Sequence, residues 1–162
     1  MVISNSSPLI HLSIIGRLNL LEKKFSEIMI PPAVWREVVI DGFGKPGAKK
    51  VEQAKWIKVQ DVNDRNLVIS LGRYLDAGES EAIALALEIG ASLVLLDERD
   101  ARDTADAFGL NILGVIGILV WARKKQLIPT LKDELAHLQE IAKFRFSEEL
   151  YRKALVEVGE MK

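Results

Sequence analysis

The stretch GESEAIALALEIGASLVLLD, residues 78–97, joins a helix pattern directly to a strand pattern. Its first part predicts a helix over Gly78 to Ile89, which ends where Gly90 can adopt a left-handed conformation. The run from Leu93 to Leu96 contains no polar residue, which is typical of strands buried on both faces of a parallel sheet. The stretch therefore predicts a helix that leads back into a buried strand, as in an α/β domain.

The same alternation continues on both sides of this stretch. Short apolar runs predict four further strands, at Val2 to Ser4, Ile28 to Ile30, Trp56 to Val59 and Asn111 to Leu113. Helical patterns are found at Leu9 to Ile14, Leu18 to Phe25, Ala33 to Ile40, Asp100 to Phe108 and Val115 to Lys125. This order predicts an α/β fold with a short central parallel sheet of about five strands and helices on both faces.

A chain of 162 residues is of the size of one domain, which we place at residues 1–162. The strand units occupy about residues 1–128. After Pro129 the chain is expected to form a C-terminal helical extension over about residues 129–162, with helices at Leu131 to Ile141 and Ser147 to Val158. Their apolar stripes exceed what five strand units need, and this excess suggests a homodimer.

Composition excludes several classes of protein. The chain has no cysteine, which excludes a disulfide scaffold, a thiol nucleophile and cysteine-ligated zinc. Lys and Arg number 22 against 23 Asp and Glu, so any binding of nucleic acid needs a local patch or a metal ion. No phosphate-binding glycine loop and no serine hydrolase elbow occurs. Without a signal peptide or a membrane-spanning run, we expect a cytoplasmic protein with no membrane contact.

Polar residues occur where ligands of an open α/β sheet bind, beyond the carboxyl ends of the strands. Asn5 follows the first predicted strand and Asp97 follows the fourth, while Glu37 lies on the helix after the second. Carboxylate and amide oxygens without cysteine or histidine form a hard-oxygen site. Such a site suits Mg²⁺ or Mn²⁺ rather than zinc, and these ions activate water at phosphodiesters.

Glu79 is the most informative acidic residue of the predicted helix over Gly78 to Ile89. It shares a small apolar face with Ala82 and Ile83, so we expect its carboxylate to point inward and to need a partner. Glu81 is expected on a more exposed face. The alternative for Glu79 is a structural charge favoured by the helix dipole.

Other polar residues have a functional and a structural interpretation. Lys45, Lys49 and Lys50 belong to a lysine-rich segment that would guide an RNA backbone, or would form a solvated helix face. His11 and His137 are interpreted as surface or core histidines rather than ligands.

Five segments taken together identify a resemblance. They are ISNSSPLI (3–10), IPPAVWREV (30–38), GESEAIALA (78–86), LLDERDAR (95–102) and GVIGIL (114–119). In this order they resemble the PIN-domain family, close to the VapC-type toxin ribonucleases, over about Val2 to Ile128. The resemblance implies a three-layer α/β/α fold and four acidic residues around one or two divalent ions.

Carried over to this chain, the four positions fall at Asn5, Glu37, Glu79 and Asp97, with Asp100 as a further candidate. The resemblance implies that Glu37, Glu79 and Asp97 are catalytic. It implies that Asn5, Glu79, Asp97 and Asp100 bind Mg²⁺ or Mn²⁺. RNA would be the substrate, and an antitoxin protein and a second copy of the chain the partners. At Asn5 a neutral amide replaces the acid of the family pattern.

Two other interpretations stay open. Because Asn5 is neutral, the domain would be a degenerate nuclease that binds RNA or a protein partner. Alternatively the carboxylates are structural and pair with arginines, for which the candidates are Arg36, Arg73, Arg99 and Arg102.

Overall fold

The computed structural model describes all residues from Met1 to Lys162 and contains one five-stranded parallel sheet. The strands are β1 (Val2–Ser4), β2 (Ile28–Ile30), β3 (Ile57–Val59), β4 (Leu93–Leu95) and β5 (Ile112–Leu113). They are ordered β3-β2-β1-β4-β5, and β1 pairs with both β2 and β4. All five predicted strands are confirmed.

Ten helices connect and follow the strands. They are α1 (Ser6–Ile14), α2 (Asn19–Phe25), α3 (Pro32–Trp35), α4 (Ala48–Gln53), α5 (Arg65–Leu71), α6 (Ala77–Ile89), α7 (Arg99–Ala107), α8 (Val115–Lys124), α9 (Leu131–Glu140) and α10 (Glu148–Glu157). After α3 the chain continues as a π-helical turn over Arg36–Ile40. None of these helices has the length and hydropathy required to cross a bilayer.

Hydrophobic side chains fill both sides of the sheet. Along the chain that forms and leaves β4, Val94 and Leu96 pack with α5, α6 and α7, whereas Leu95 packs on the opposite side with α1, α2 and α8. This alternation follows from the strand geometry, which directs successive side chains to opposite faces. The result is the predicted three-layer α/β/α arrangement.

The two C-terminal helices pack into the second of these layers. Leu131, Leu135 and Leu138 of α9 are fully buried in the same cluster as α1 and α8, and Leu155 of α10 is 1% exposed. The apolar stripes that suggested a homodimer therefore face the chain's own core.

Polar contacts also attach these helices. Arg17 donates from Nε to Glu134 Oε1 on α9 at 3.0 Å, and the Glu134 side chain is only 4% exposed. The Glu160 carboxylate accepts from the backbone N–H groups of Leu131 and Lys132, which satisfies the otherwise unpaired start of α9.

The prediction that Glu81 is exposed is wrong. Its Oε1 accepts from the Ala33 backbone N–H at 3.0 Å, its Oε2 lies 3.3 Å from Arg65 Nη1, and the residue is 7% exposed. The start of α3 covers this side of α6, so both faces of the helix are buried.

Two further differences from the predicted helices are local. Helix α1 begins at Ser6 rather than Leu9, and the short helix α5 was not predicted. Helix α4 was expected only in one of the two interpretations of the lysine-rich segment.

Candidate active site

An acidic pocket of about 440 Å³ opens at the carboxyl ends of β1 and β4. The parallel pairing of these strands brings the residues that follow them to the same edge of the sheet, and Asn5 extends the pairing by donating to Leu95 O at 3.1 Å. We use the term acidic pocket for the space lined by Asn5, Ser6, Ser7, Ile10, His11, Glu37, Tyr74, Asp76, Glu79, Glu98, Arg99 and Asp100.

Asn5 occupies the inner end of the acidic pocket. The residue is 3% exposed, and its Oδ1 is buried with no hydrogen-bond partner. A buried carbonyl oxygen without a donor is unfavourable unless a ligand or an ordered water satisfies it. Gly78 leaves room beside this oxygen, because a Cβ on Gly78 would lie 3.0 Å from Asn5 Oδ1 and 3.2 Å from Glu37 Oε2. The amide oxygen and the carboxylate thus border one small space.

Glu37 is held at this position by the π-helical turn that follows α3. Such turns are found often at functional sites, because the additional residue redirects side chains. Ser6 Oγ donates to Glu37 Oε2 at 2.7 Å, which fixes one carboxylate oxygen. The residue is otherwise exposed, so its second oxygen is free for a ligand.

Glu79 points into the protein, as predicted, but it also serves the start of α6. Its Oε1 accepts from the Asp76 backbone N–H at 3.0 Å, and Asp76 Oδ1 accepts from the Glu79 backbone N–H at 2.8 Å, forming a capping box. Burial raises the pKa of the Glu79 carboxyl above its usual value, and the charges of Asp76 and Glu98 also favour the protonated form.

Asp97 lies behind His11 and does not line the acidic pocket. Its Oδ1 accepts from the Val115 backbone N–H at 2.9 Å, at the start of α8, and its Oδ2 lies 3.3 Å from His11 Nδ1. The positive end of the α8 dipole favours a carboxylate here. The side chain is 4% exposed, so the histidine separates Asp97 from the pocket.

His11 is a pocket residue that the sequence interpretation missed, as it missed Tyr74 and Asp76. It lines the acidic pocket between Asp97 and Phe144, and the Phe144 ring meets it edge-on with the ring centroids 4.9 Å apart. Its position on α1 was correctly predicted. Both partners are distant in the chain, and no local pattern indicates such a contact.

The remaining predicted site residues fall in three places. Asp100 lines the acidic pocket near its mouth and is exposed. Lys45 lines a smaller neighbouring cavity that shares Ile10 and Glu37 with the acidic pocket. Lys49 and Lys50 are exposed on α4, outside both of these cavities.

The oxygens of the acidic pocket fit a hard cation in their chemistry, and the unsatisfied Asn5 Oδ1 is the observation that supports this fit. No three acidic or histidine side chains converge closely enough to hold an ion by themselves. A bound ion would thus depend on the amide oxygen or on movement of Glu79. Neither Glu79 nor Asp97 forms an ion pair with an arginine, so the predicted pairing with arginines is wrong. Both carboxylates nevertheless have a structural role, because each accepts from a backbone N–H at the start of a helix.

Comparison with known proteins gives one finding about the family. The family model described as PIN domain matches residues 1–160, nearly the whole chain. The chain matches no curated protein. The matched range includes all five strands and every residue that lines the acidic pocket. The chain therefore belongs to the PIN-domain family, and its fold is of the nuclease type.

Proposed function

We propose that the protein is a ribonuclease that hydrolyses RNA phosphodiester bonds with the help of Mg²⁺ or Mn²⁺. The observation that supports this most is the buried Asn5 Oδ1, which has no partner and borders the same space as Glu37. Asn5, Glu37 and Glu79 would hold the ion, with Asp97 behind His11 and Asp100 at the mouth. A bound divalent ion lowers the pKa of its water and neutralises charge on the phosphate.

The chain's own residues determine how RNA reaches this ion. The acidic pocket is lined by more carboxylates than cations, and without a counter-ion these charges repel a phosphate backbone. At its rim Arg99 has a side chain 92% exposed, and Tyr74 is 81% exposed. A guanidinium suits phosphate contact, and an exposed aromatic ring suits stacking with an unpaired base. Lys45 would extend the cationic path past Glu37, and Lys49 and Lys50 would add to it on α4.

The biological role belongs to the same proposal. The resemblance of five ordered segments, within about Val2 to Ile128, to VapC-type toxins supports a toxin that a separate antitoxin protein restrains. A homodimer and a cytoplasmic location are proposed on the same basis.

A degenerate PIN domain that binds RNA or a protein partner without cleavage is the second candidate. Two observations favour it. Asn5 supplies a neutral oxygen where the family pattern has an acid, and no three acidic side chains are gathered for an ion. A neutral oxygen binds a divalent cation more weakly than a carboxylate does.

Calorimetric titration of Mn²⁺ tests the proposal together with cleavage of a 5′-labelled single-stranded RNA. The wild type is expected to bind Mn²⁺ and to cleave, and EDTA should abolish cleavage. Glu37→Gln removes a pocket carboxylate without burying a new group, and Gly78→Ala fills the space beside Asn5. Both should reduce cleavage at least tenfold, which corresponds to about 1.4 kcal/mol in the barrier.

Asp106→Asn is the matched control, because it removes one negative charge from an exposed position of α7 outside the acidic pocket. It should cleave as the wild type does. Cleavage that survives EDTA, or that is equal in Glu37→Gln and the control, would refute the proposal. A wild type that retains RNA but binds no Mn²⁺ and cleaves nothing would establish the degenerate domain instead.

A further inference from the structure

A second cavity, of about 530 Å³, lies on the other side of Asp97 from the acidic pocket. Its walls come from β5, from the first turns of α8 and from the segment that leads into α10. Leu150, Lys153 and Ala154 line it from one face of that helix, at the spacing of three and four residues that places side chains together. We call this space the C-terminal cavity.

The C-terminal cavity has an apolar wall and an aromatic ring. Ile112, Leu113, Val120 and Leu150 contribute aliphatic surface, and Phe144 contributes its ring. Leu150 is 42% exposed, so part of its side chain remains open to an occupant of the cavity. The volume is within the range of about 300–1,000 Å³ that small-molecule sites occupy in proteins.

The unpaired charges of the C-terminal cavity are positive. The Asp97 carboxylate already has two partners, the Val115 N–H and His11. Glu157 forms an ion pair with Lys124 Nζ at 2.7 Å. Arg145 and Lys153, in contrast, are exposed and form no ion pair. An occupant with an apolar, flat part and an anionic group would satisfy both features of the cavity.

The position of the cavity relates it to the acidic pocket. Phe144 lines the C-terminal cavity and meets His11 edge-on, and His11 lines the acidic pocket. This pair of rings and the Asp97 side chain, which contacts His11, lie between the two spaces. The two cavities are therefore neighbours across one layer of side chains, an arrangement that suits a chain molecule with one linkage in the acidic pocket and another unit in the C-terminal cavity.

We propose that the C-terminal cavity binds one nucleotide of the RNA, next to the phosphodiester in the acidic pocket. The base would lie against Phe144 and the aliphatic wall, and the phosphate would contact Arg145 and Lys153. This inference rests on the proposed function and adds a nucleotide-binding site to it. Phe144, Arg145 and Lys153 are then substrate-binding residues, not catalytic ones.

Calorimetric titration of the full chain with each of the four ribonucleoside 5′-monophosphates tests this site. The titration is done in EDTA, so that binding is measured without cleavage and without an ion in the acidic pocket. At least one nucleotide should bind at millimolar concentration or below. The double variant Arg145→Glu, Lys153→Glu should weaken that binding at least tenfold.

Two variants complete the experiment. Lys23→Glu with Lys55→Glu makes the same charge change at exposed positions that do not line the cavity, and should bind as the wild type does. Phe144→Leu keeps an apolar side chain but removes the aromatic face, and should weaken nucleotide binding at least threefold. The ring contact with His11 is also lost in this variant, so its melting temperature is measured to check that the fold is intact.

Several outcomes would overturn the inference. They are no binding of any nucleotide to the wild type, equal binding to the double variant and its control, or tighter binding of polyglutamate than of nucleotides. The last outcome would identify a site for an acidic peptide. Nucleotide binding that is intact in a protein unable to cleave RNA would refute the proposed activity and leave the nucleotide site standing.

Discussion

Asn5 lowers the cation affinity of the proposed metal site, and it borders the space through which a cation would enter. Its amide oxygen is buried without a donor, next to a space that the absence of a side chain at Gly78 keeps open. A carboxylate at this position would bind a cation more tightly, but without a cation it would be an unpaired buried charge beside Glu37. Because the amide is neutral, the pocket contains no unpaired buried charge at this position when no ion is bound.

Asn5→Asp tests this balance at a single residue. In EDTA we expect the free energy of unfolding to fall by about 1–3 kcal/mol, because a buried anion then lacks a partner. Mn²⁺ should restore the loss and bind about tenfold more tightly than to the wild type, which is about 1.4 kcal/mol. Thermal denaturation with and without Mn²⁺ measures both effects.

Asn66→Asp is the matched control, because Asn66 is exposed on α5. It should leave both the melting temperature and the Mn²⁺ affinity unchanged. If Asn5→Asp behaves as this control does, then Asn5 does not face the cation site. If cleavage appears only in Asn5→Asp, the wild-type domain is the degenerate form.

At the start of helix α6, Glu79 both caps the helix and lines the acidic pocket. The carboxylate closes the capping box with Asp76, yet burial and the nearby acidic charges raise its pKa. An acid whose pKa is higher in the folded state binds protons more tightly when folded. Its contribution to stability is therefore present at low pH and is lost as the pH rises through its folded pKa.

Glu79→Gln keeps an oxygen that accepts from Asp76 and removes the charge. We expect the variant to be at least as stable as the wild type at pH 7. The advantage should disappear below about pH 4, where the unfolded carboxyl is also protonated. Melting curves across this pH range measure the difference. A variant that is less stable than the wild type at pH 7 would show that the Glu79 charge stabilises the fold.

Elements whose sequence pattern is local were predictable, and elements fixed by distant contacts were not. The five strands are short apolar runs, and Asn5 and Glu37 follow from their place after β1 and β2. Helices α4 and α5 are short, and burial of a few residues such as Val51 and Val68 holds them. A helix of so few residues is too short for its sequence to show a helical periodicity.

The same distinction applies to the acidic pocket. Glu79 was placed correctly because its neighbours on α6 are small and apolar. Glu81 was misplaced because its cover comes from Ala33 and Arg65, outside the helix. The role of His11 was missed because its partners, Asp97 and Phe144, are far from it in the chain. The C-terminal cavity was beyond prediction for the same reason.

At the scale of the whole molecule, the last helices join the core rather than extend from it. Helix α9 is attached to the loop after α1 by the pair of Arg17 and Glu134, and Glu134 Oε2 has no partner of its own. The carboxylate is buried and the guanidinium is partly exposed. Removing Arg17 should therefore lower the free energy of unfolding by more than removing the charge of Glu134.

Arg17→Met is expected to destabilise the fold by about 3–5 kcal/mol, because it leaves a buried carboxylate without compensation. Glu134→Gln retains an acceptor for Arg17 and should cost about 1 kcal/mol. The double variant with methionine at both positions should recover most of the first loss. Urea unfolding of the three variants measures these differences. Equal losses in the two single variants would contradict the assignment.

The contact between Phe144 and His11 has a consequence for the order of events during synthesis. The acid-bearing strands and α1 leave the ribosome first, and the ring that completes the wall between the two cavities follows Asp97 by about 50 residues. At translation rates of about 5–20 residues per second, that interval is about 2–10 seconds. During it the nascent chain exposes an unfinished acidic pocket, so under the activity proposed above the site would be complete only once the final helices have docked.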